Sequence, residues 1–121
     1  MKKLLGIVVL GLLLSTKSSF GSITVAAYLK GMKSDDTRVH TLIEQNLIGI
    51  NSGLMYANTE LRWEGRKQLY CQPKQLGLNG KNLISFVNAE IEFMIDKGKD
   101  PSKVPIGMML TMHLKRIFKC D

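Results

Sequence analysis

Apolar residues recur at every third or fourth position over long stretches of this chain, the spacing that one face of an α-helix requires. The clearest example runs from about Thr37 to Glu64. Its apolar positions are Val39, Leu42, Ile43, Leu47, Ile50, Leu54, Ala57 and Leu61. Asp35 and Asp36 precede the segment as N-cap candidates, and Gly65 follows it as a stop signal. The pattern therefore predicts a long amphipathic helix.

Three shorter helices are predicted around it. The segment "ITVAAYLKGM" forms a helix that ends near Gly31, and "GKNLISFVNAEIEFMIDKG" forms one that begins after Asn79 and ends at Gly98. Pro105 suits the first turn of a final helix, "IGMMLTMHLKRIFKC", whose basic last turn complements the helix dipole. No segment shows the alternation of a β-strand. The sequence predicts an all-α fold, a small bundle of about four helices with short loops.

The helix after Asn79 carries two apolar stripes. The core stripe comprises Leu83, Ile84, Val87, Ile91, Met94 and Ile95. The second stripe is formed by Phe86, Ala89 and Phe93. A helix with so broad an apolar face either lies in the centre of the bundle or pairs with another subunit. We take the second stripe as the candidate interface of a homodimer.

Two glycines, Gly49 and Gly53, lie one turn apart on the same face of the long helix. Each weakens a helix by up to about 1 kcal/mol relative to alanine. Either another helix of the domain or a partner must approach closely to compensate, and we predict close helix packing within the domain. The polar segments "EQN", "NS" and "NTE" exclude a membrane dimer motif.

The N-terminus is typical of an export signal. Lys2 and Lys3 precede eleven uncharged residues, positions 4–14, about half of the ~20 needed to span a bilayer. We predict cleavage after Gly21, with Ala27 as the second choice. Residues 1–21 would then be a signal peptide and residues 22–121 one helical domain, located in the periplasm and not attached to the membrane.

The net charge of the chain limits the classes of partner that are expected. Cleavage removes three lysines and no acid, so 17 Lys and Arg become 14 against 10 acids, and the net charge falls from +7 to +4. This balance and the export signal argue against nucleic acid. The remaining charge suits either ordinary solubility or an acidic partner surface.

The two cysteines, Cys71 and Cys120, both survive cleavage and would reach an oxidising compartment. A disulfide between them would close a loop of about 50 residues and stabilise the fold by about 4 kcal/mol. The alternative is a Cys/His pair with His40 or His113, but the spacing is not that of a zinc site. His113 is interpreted as a packed residue, and no metal or cofactor is predicted.

The most polar connection is "KGKDPSKVP", between the last two helices. Its candidate partner-binding residues are Lys97, Lys99, Asp100, Ser102 and Lys103. Loops held by a scaffold commonly carry binding function, and the lysines could steer an acidic partner toward the protein. A solvated connector with no partner is the alternative.

The segment "NLIGINSGLMYANTELRWEGRKQLYCQP" resembles the central block of the Rap/Tai immunity proteins of type VI secretion. The shared positions are Gly49, Gly53, Ala57, Asn58, Leu69, Tyr70, Cys71 and Pro73, followed near the C-terminus by Leu114, Phe118 and Cys120. The resemblance covers nearly all of residues 22–121 in the same order. Gln72 and Lys119 depart from it, because proline is usual at both positions.

The resemblance implies an exported all-helical protein, often a homodimer, that binds a peptidoglycan amidase toxin and blocks its cleft without catalysing a reaction. The alternative is a structural or stress protein of the envelope that has the same fold and no toxin partner. An enzyme ranks third, because the chain contains no nucleophile elbow, phosphate-binding loop or metal-ligand spacing.

Overall fold

A computed structural model describes residues 23–121, which contain four α-helices. These are α1 (Val25–Met32), α2 (Thr37–Trp63), α3 (Gly80–Asp96) and α4 (Ile106–Ile117). The prediction of an all-α bundle of four helices is confirmed. The predicted signal peptide, residues 1–21, lies outside the described residues.

The helix ends follow local chemistry that the sequence already shows. Asp36 is the N-cap of α2, and its carboxylate accepts a hydrogen bond of 2.9 Å from the Arg38 N–H. Asn79 and Asn82 form a reciprocal capping box at the start of α3. Gly98, just after α3, has a φ of +75°, a conformation that strains residues with a side chain.

The core lies where all four helices meet. α3 packs against α2 and α4, and α2 also contacts α1 and α4. The fully buried apolar residues come from every helix and from one loop. They are Val25, Tyr28, Leu47, Tyr70, Leu83, Val87, Ile106, Met109, Leu110 and Leu114. Burial of this set is the main force that holds the helices together.

The loop between α2 and α3 is fastened to the end of the chain. Cys71 and Cys120 form a disulfide, as predicted, with their Cα atoms 5.0 Å apart. The Cys71 N–H also donates a hydrogen bond of 2.7 Å to the Phe118 carbonyl. Asn58, buried on α2, accepts from the Leu69 N–H and donates to the Tyr70 carbonyl. This loop is therefore joined to both α2 and α4.

The prediction that Gly49 and Gly53 pack closely inside the domain is wrong. Both are exposed on α2, and a Cβ added at either position would have no atom within 4 Å. The close approaches occur at other glycines. A Cβ on Gly31 would lie 3.0 Å from Ile43 Cδ1, and one on Gly107 would lie 3.1 Å from Ile50 Cδ1.

Among residues 23–121, no helix combines the length and the apolar character that crossing a membrane requires.

Candidate protein-binding surface

The connection between α3 and α4 is held firmly by the N-terminal end of the domain. Backbone N–H groups of Val25 and Ala26 donate to the carbonyls of Val104 and Ser102, at 2.8 and 3.0 Å. In return, the Ile106 N–H donates to the Ile23 carbonyl at 2.8 Å. These bonds satisfy the backbone groups of the second half of the connection and fasten it to the start of α1.

The structure places all five candidate partner-binding residues on this one connection. The side chains of Lys97, Lys99, Asp100 and Lys103 are exposed, and Ser102 is half-buried. The Ser102 N–H donates to the Asp100 carboxylate at 3.0 Å, and this bond lowers the pKa of Asp100. The Asp100 side chain therefore stabilises the turn through this hydrogen bond, whereas the side chains of the three lysines extend into solvent.

The second apolar stripe of α3 does not form one outward face. Phe86 is half-buried and packs on His113 and Phe118, with ring centroids 4.9 and 6.4 Å apart. The Phe86 ring fills the space between α3 and the end of α4, and its role in a dimer interface stays a prediction. Ala89 and Phe93 remain exposed.

Two cationic side chains lie against the ring of Phe93. The Arg116 guanidinium lies 3.9 Å from the centroid of its ring, and the Lys97 ammonium lies 5.5 Å from it. Both distances suit a cation–π interaction. Phe93 thus joins the connection after α3 to the last turn of α4.

The buried carboxylate of Glu90 orients the Arg116 guanidinium. Glu90 accepts a hydrogen bond from Arg116 Nη2, and its Oε1 lies 3.2 Å from His113 Nδ1. Glu90 and His113 are both buried, so the Glu90 carboxylate has lost its contact with water. The positive charge of Arg116 compensates the charge of this carboxylate. Burial lowers the pKa of His113, with the charge of Arg116 acting in the same direction and Glu90 opposing it. His113 is a packed residue, as the sequence suggested.

Further lysines surround this network. Two surface pockets share Lys115 and Lys119; one also includes Lys67 and Cys120, the other Phe93 and Arg116. We define the basic surface as Lys67, Phe93, Lys97, Lys115, Arg116 and Lys119. Within residues 23–121, none of its lysines forms a salt bridge. Their positive charge is left for solvent or for a partner.

Sequence reasoning found the lysines of the connection but missed those of α4. Lys115, Arg116 and Lys119 were interpreted as groups that complement the helix dipole. Lys115 and Arg116 lie in the last turn of α4 and Lys119 follows its end, but no local pattern reveals that these residues lie beside Phe93. The packing of α4 on α3 brings the two sets together.

The alternative of a site built from a cysteine and a histidine is excluded, because both cysteines are in the disulfide and neither has a free thiol. The part of the chain that the structure describes contains no group of three His, Cys, Asp or Glu residues arranged to hold a metal ion. Comparisons with protein-family models, curated proteins and solved structures found no match for this chain. Its surface chemistry and sequence motifs are therefore the basis for a functional proposal.

Proposed function

We propose that this protein is a periplasmic immunity protein that binds a type VI secretion peptidoglycan amidase and occludes its cleft. The observation that carries the proposal is the basic surface beside a firmly held loop. Lys97 lies over the ring of Phe93, Lys115 and Lys119 line the same pocket as Phe93, and Lys99 and Lys103 continue the positive charge along the connection.

This arrangement suits a binding protein. Phenylalanine and arginine are among the residue types that are enriched in the cores of protein interfaces. Surrounding lysines accelerate the encounter with an acidic partner and select against basic ones. Because the loop backbone is already hydrogen-bonded to α1, little conformational entropy is lost when a partner binds it.

Two further observations support the compartment and the partner class. The disulfide is compatible with an oxidising compartment such as the periplasm. The resemblance of the segments around Asn58, Cys71 and Cys120 to the Rap/Tai immunity proteins supplies the amidase as the partner. It also supplies occlusion of the amidase cleft, without catalysis, as the mode of action.

The test is protection of cells. A panel of type VI amidases would be directed to the periplasm of a host that expresses this chain, and lysis and peptidoglycan cleavage would be followed. Protection against at least one amidase, with a purified complex that blocks cleavage, is expected. If no amidase is bound or inhibited, the alternative of an envelope structural or stress protein is favoured.

The contact surface is tested by charge reversal against the amidase that binds. Lys99→Glu with Lys103→Glu should slow association about tenfold at low salt and less at high salt. The matched control is Lys74→Glu with Lys81→Glu, which changes the net charge equally. Lys81 lies at the start of α3, about 24 Å along the helix from Lys97. Equal effects of both pairs would show that the loop is not the contact site.

A further inference from the structure

His113 lies between two charged side chains that also bind each other. Its Nδ1 is 3.2 Å from Glu90 Oε1 and 3.2 Å from Arg116 Nη2. The same Glu90 oxygen accepts a hydrogen bond from that nitrogen of Arg116. Each of the three side chains therefore contacts the other two. Because one carboxylate and one guanidinium have opposite charges, the cluster has no net charge while the imidazole is neutral.

The three side chains differ in their freedom to move. Glu90 and His113 have only 2% and 9% of their side-chain surface exposed, whereas 36% of the Arg116 side chain is exposed. The ring of Phe86 packs on the imidazole, with the two centroids 4.9 Å apart. Arg116 is the next-to-last residue of α4, and its guanidinium lies on the outer side against Phe93. Arg116 is therefore the one member of the cluster that can reach solvent without a rearrangement of the core.

A proton on His113 would change the balance of charge around Arg116. The imidazolium would place a positive charge 3.2 Å from Arg116 Nη2, at hydrogen-bond range like the carboxylate of Glu90. Opposite charges at similar distances largely cancel, so the attraction that holds Arg116 would be lost. Both ring nitrogens of an imidazolium are donors, so the Nδ1–H of His113 would donate to Glu90 instead. The remaining contact of the guanidinium with Phe93 is weak at an exposed position.

We propose that protonation of His113 releases Arg116 from Glu90 into solvent, so that acidification adds one free positive charge to the basic surface. The buried carboxylate keeps a partner in both states, which is Arg116 when His113 is neutral and the imidazolium when His113 is protonated. This exchange avoids an unpaired buried charge, which would be strongly destabilising. Histidine suits the role, because its charge changes nearer to neutral pH than that of any other ordinary side chain.

Opposing effects set the pH at which this exchange occurs. Burial lowers the pKa of His113, its hydrogen bond with Glu90 raises it, and the charge of Arg116 lowers it again. Among residues 23–121, α3 contributes Glu90 and α4 contributes Arg116 as the charged side chains that act on His113, and α1 and α2 contribute none. Because the pKa lies below the ordinary value of about 6.5, Arg116 is held at neutral pH and released in mildly acidic solution.

The release of Arg116 would strengthen the positive charge of the basic surface. Arg116 lines the same pocket as Lys115 and Lys119, and the carboxylate that compensates its charge at neutral pH would be paired with His113 instead. An acidic partner would therefore associate faster at lower pH. This consequence rests on the proposed binding of an amidase, whereas the movement of Arg116 requires no partner.

The movement is tested by nuclear magnetic resonance of the purified 15N-labelled protein between pH 8 and 4, with circular dichroism to follow the fold. The imidazole nitrogens report protonation of His113, and the heteronuclear NOE of Arg116 Nε reports the mobility of the guanidinium. The NOE should fall from a rigid to a mobile value with the same midpoint as the titration of His113. His113→Gln should remove this change, whereas His40→Gln alters the other histidine of the chain and should retain it.

The coupling is reciprocal, so Arg116 must also affect the titration of His113. Arg116→Gln removes a like charge and should raise the midpoint of His113 by about 0.5 to 1 pH unit. The matched control Arg62→Gln changes an exposed arginine on α2 and should leave that midpoint unchanged. The proposal is overturned if Arg116 stays rigid while His113 titrates, or if the midpoint is the same in Arg116→Gln. A His113 that remains neutral until the domain unfolds would overturn it as well.

The effect on binding is measured separately, as the association rate with the bound amidase at low salt. The rate of the wild type divided by that of His113→Gln should rise about threefold between pH 7.5 and 5, and this ratio cancels the titration of the amidase itself. A constant ratio would refute the regulation even if Arg116 moves. Failure of the proposed function would be distinct, because no complex would form at either pH and the resonance results would stand.

Discussion

Asn58 donates a hydrogen bond of 3.0 Å to the carbonyl of Tyr70, the residue that precedes the disulfide cysteine Cys71. The same side chain accepts a hydrogen bond of 2.8 Å from the Leu69 N–H. One buried amide on α2 thus satisfies two backbone groups of the loop and places Cys71 within reach of Cys120.

Replacement of Asn58 should therefore destabilise the whole domain. Asn58→Ala leaves the Tyr70 carbonyl without its donor and should reduce the free energy of unfolding by about 2 kcal/mol. Asn58→Asp should cost more at neutral pH, because it places a carboxylate against that carbonyl. Urea denaturation gives both values. Gln45→Ala, on the exposed side of α2, should change stability by less than about 0.5 kcal/mol, and an equal loss there would contradict the role of Asn58.

The disulfide should contribute a large share of the stability. Its cysteines are 49 residues apart, and closing a loop of that length stabilises a fold by about 4 kcal/mol. Cys71→Ser with Cys120→Ser should lower the free energy of unfolding by this amount, and reduction of the wild type should match it. Thiol labelling of the protein purified without reductant should modify neither cysteine; labelling of both would contradict the bond.

The stability should also depend on pH through His113. Burial holds the pKa of His113 below its ordinary value of about 6.5, so the unfolded chain takes up the proton first as the pH falls. Stability should be constant above about pH 7 and should decrease below pH 6.5, until the folded pKa is passed. Urea midpoints between pH 8 and 5 measure this. His113→Gln should flatten that decline, and a decline of the same size in His113→Gln would refute the assignment.

Gly31 offers a test of packing between α1 and α2. A Cβ there would lie 3.0 Å from Ile43 Cδ1 and 3.1 Å from Val39 Cγ1, closer than atoms in contact normally approach. Gly31→Ala should therefore destabilise the domain by about 1 kcal/mol despite its better helix propensity. Ile43→Val removes the Cδ1 atom, so the double mutant should lose less than the two single mutants together. Strict additivity would show that the two side chains do not meet.

The parts of the fold that the sequence predicted depend on neighbours in the chain. The spacing of apolar residues gave the four helices, and Asp36, Asn79 and Gly98 marked their ends because capping involves residues a few positions apart. The disulfide was predictable because two cysteines allow a single pairing. Short-range chemistry is sufficient for these features.

The errors concern which side of a helix faces inward. Close packing inside the domain is predicted for Gly49 and Gly53 because a close neighbour would compensate for their cost to the helix, yet both lie on its exposed side. The spacing of Phe86 on its helix also gave no sign that its ring packs on His113, which is 27 residues away in the chain. The basic surface needs both α3 and α4, so only their packing reveals it.

The hydrogen bonds between the start of α1 and the connection after α3 have a consequence for any cleavage near the N-terminus. Val25 is fully buried, and Thr24 caps α1 by accepting from the Ala27 N–H. A signal peptidase that cut after Gly21 would leave these groups intact, whereas a cut after Ala27 would remove them and release the lysine-bearing connection. A chain that lacked these residues would have a more mobile connection, and proteases would cleave it there more readily.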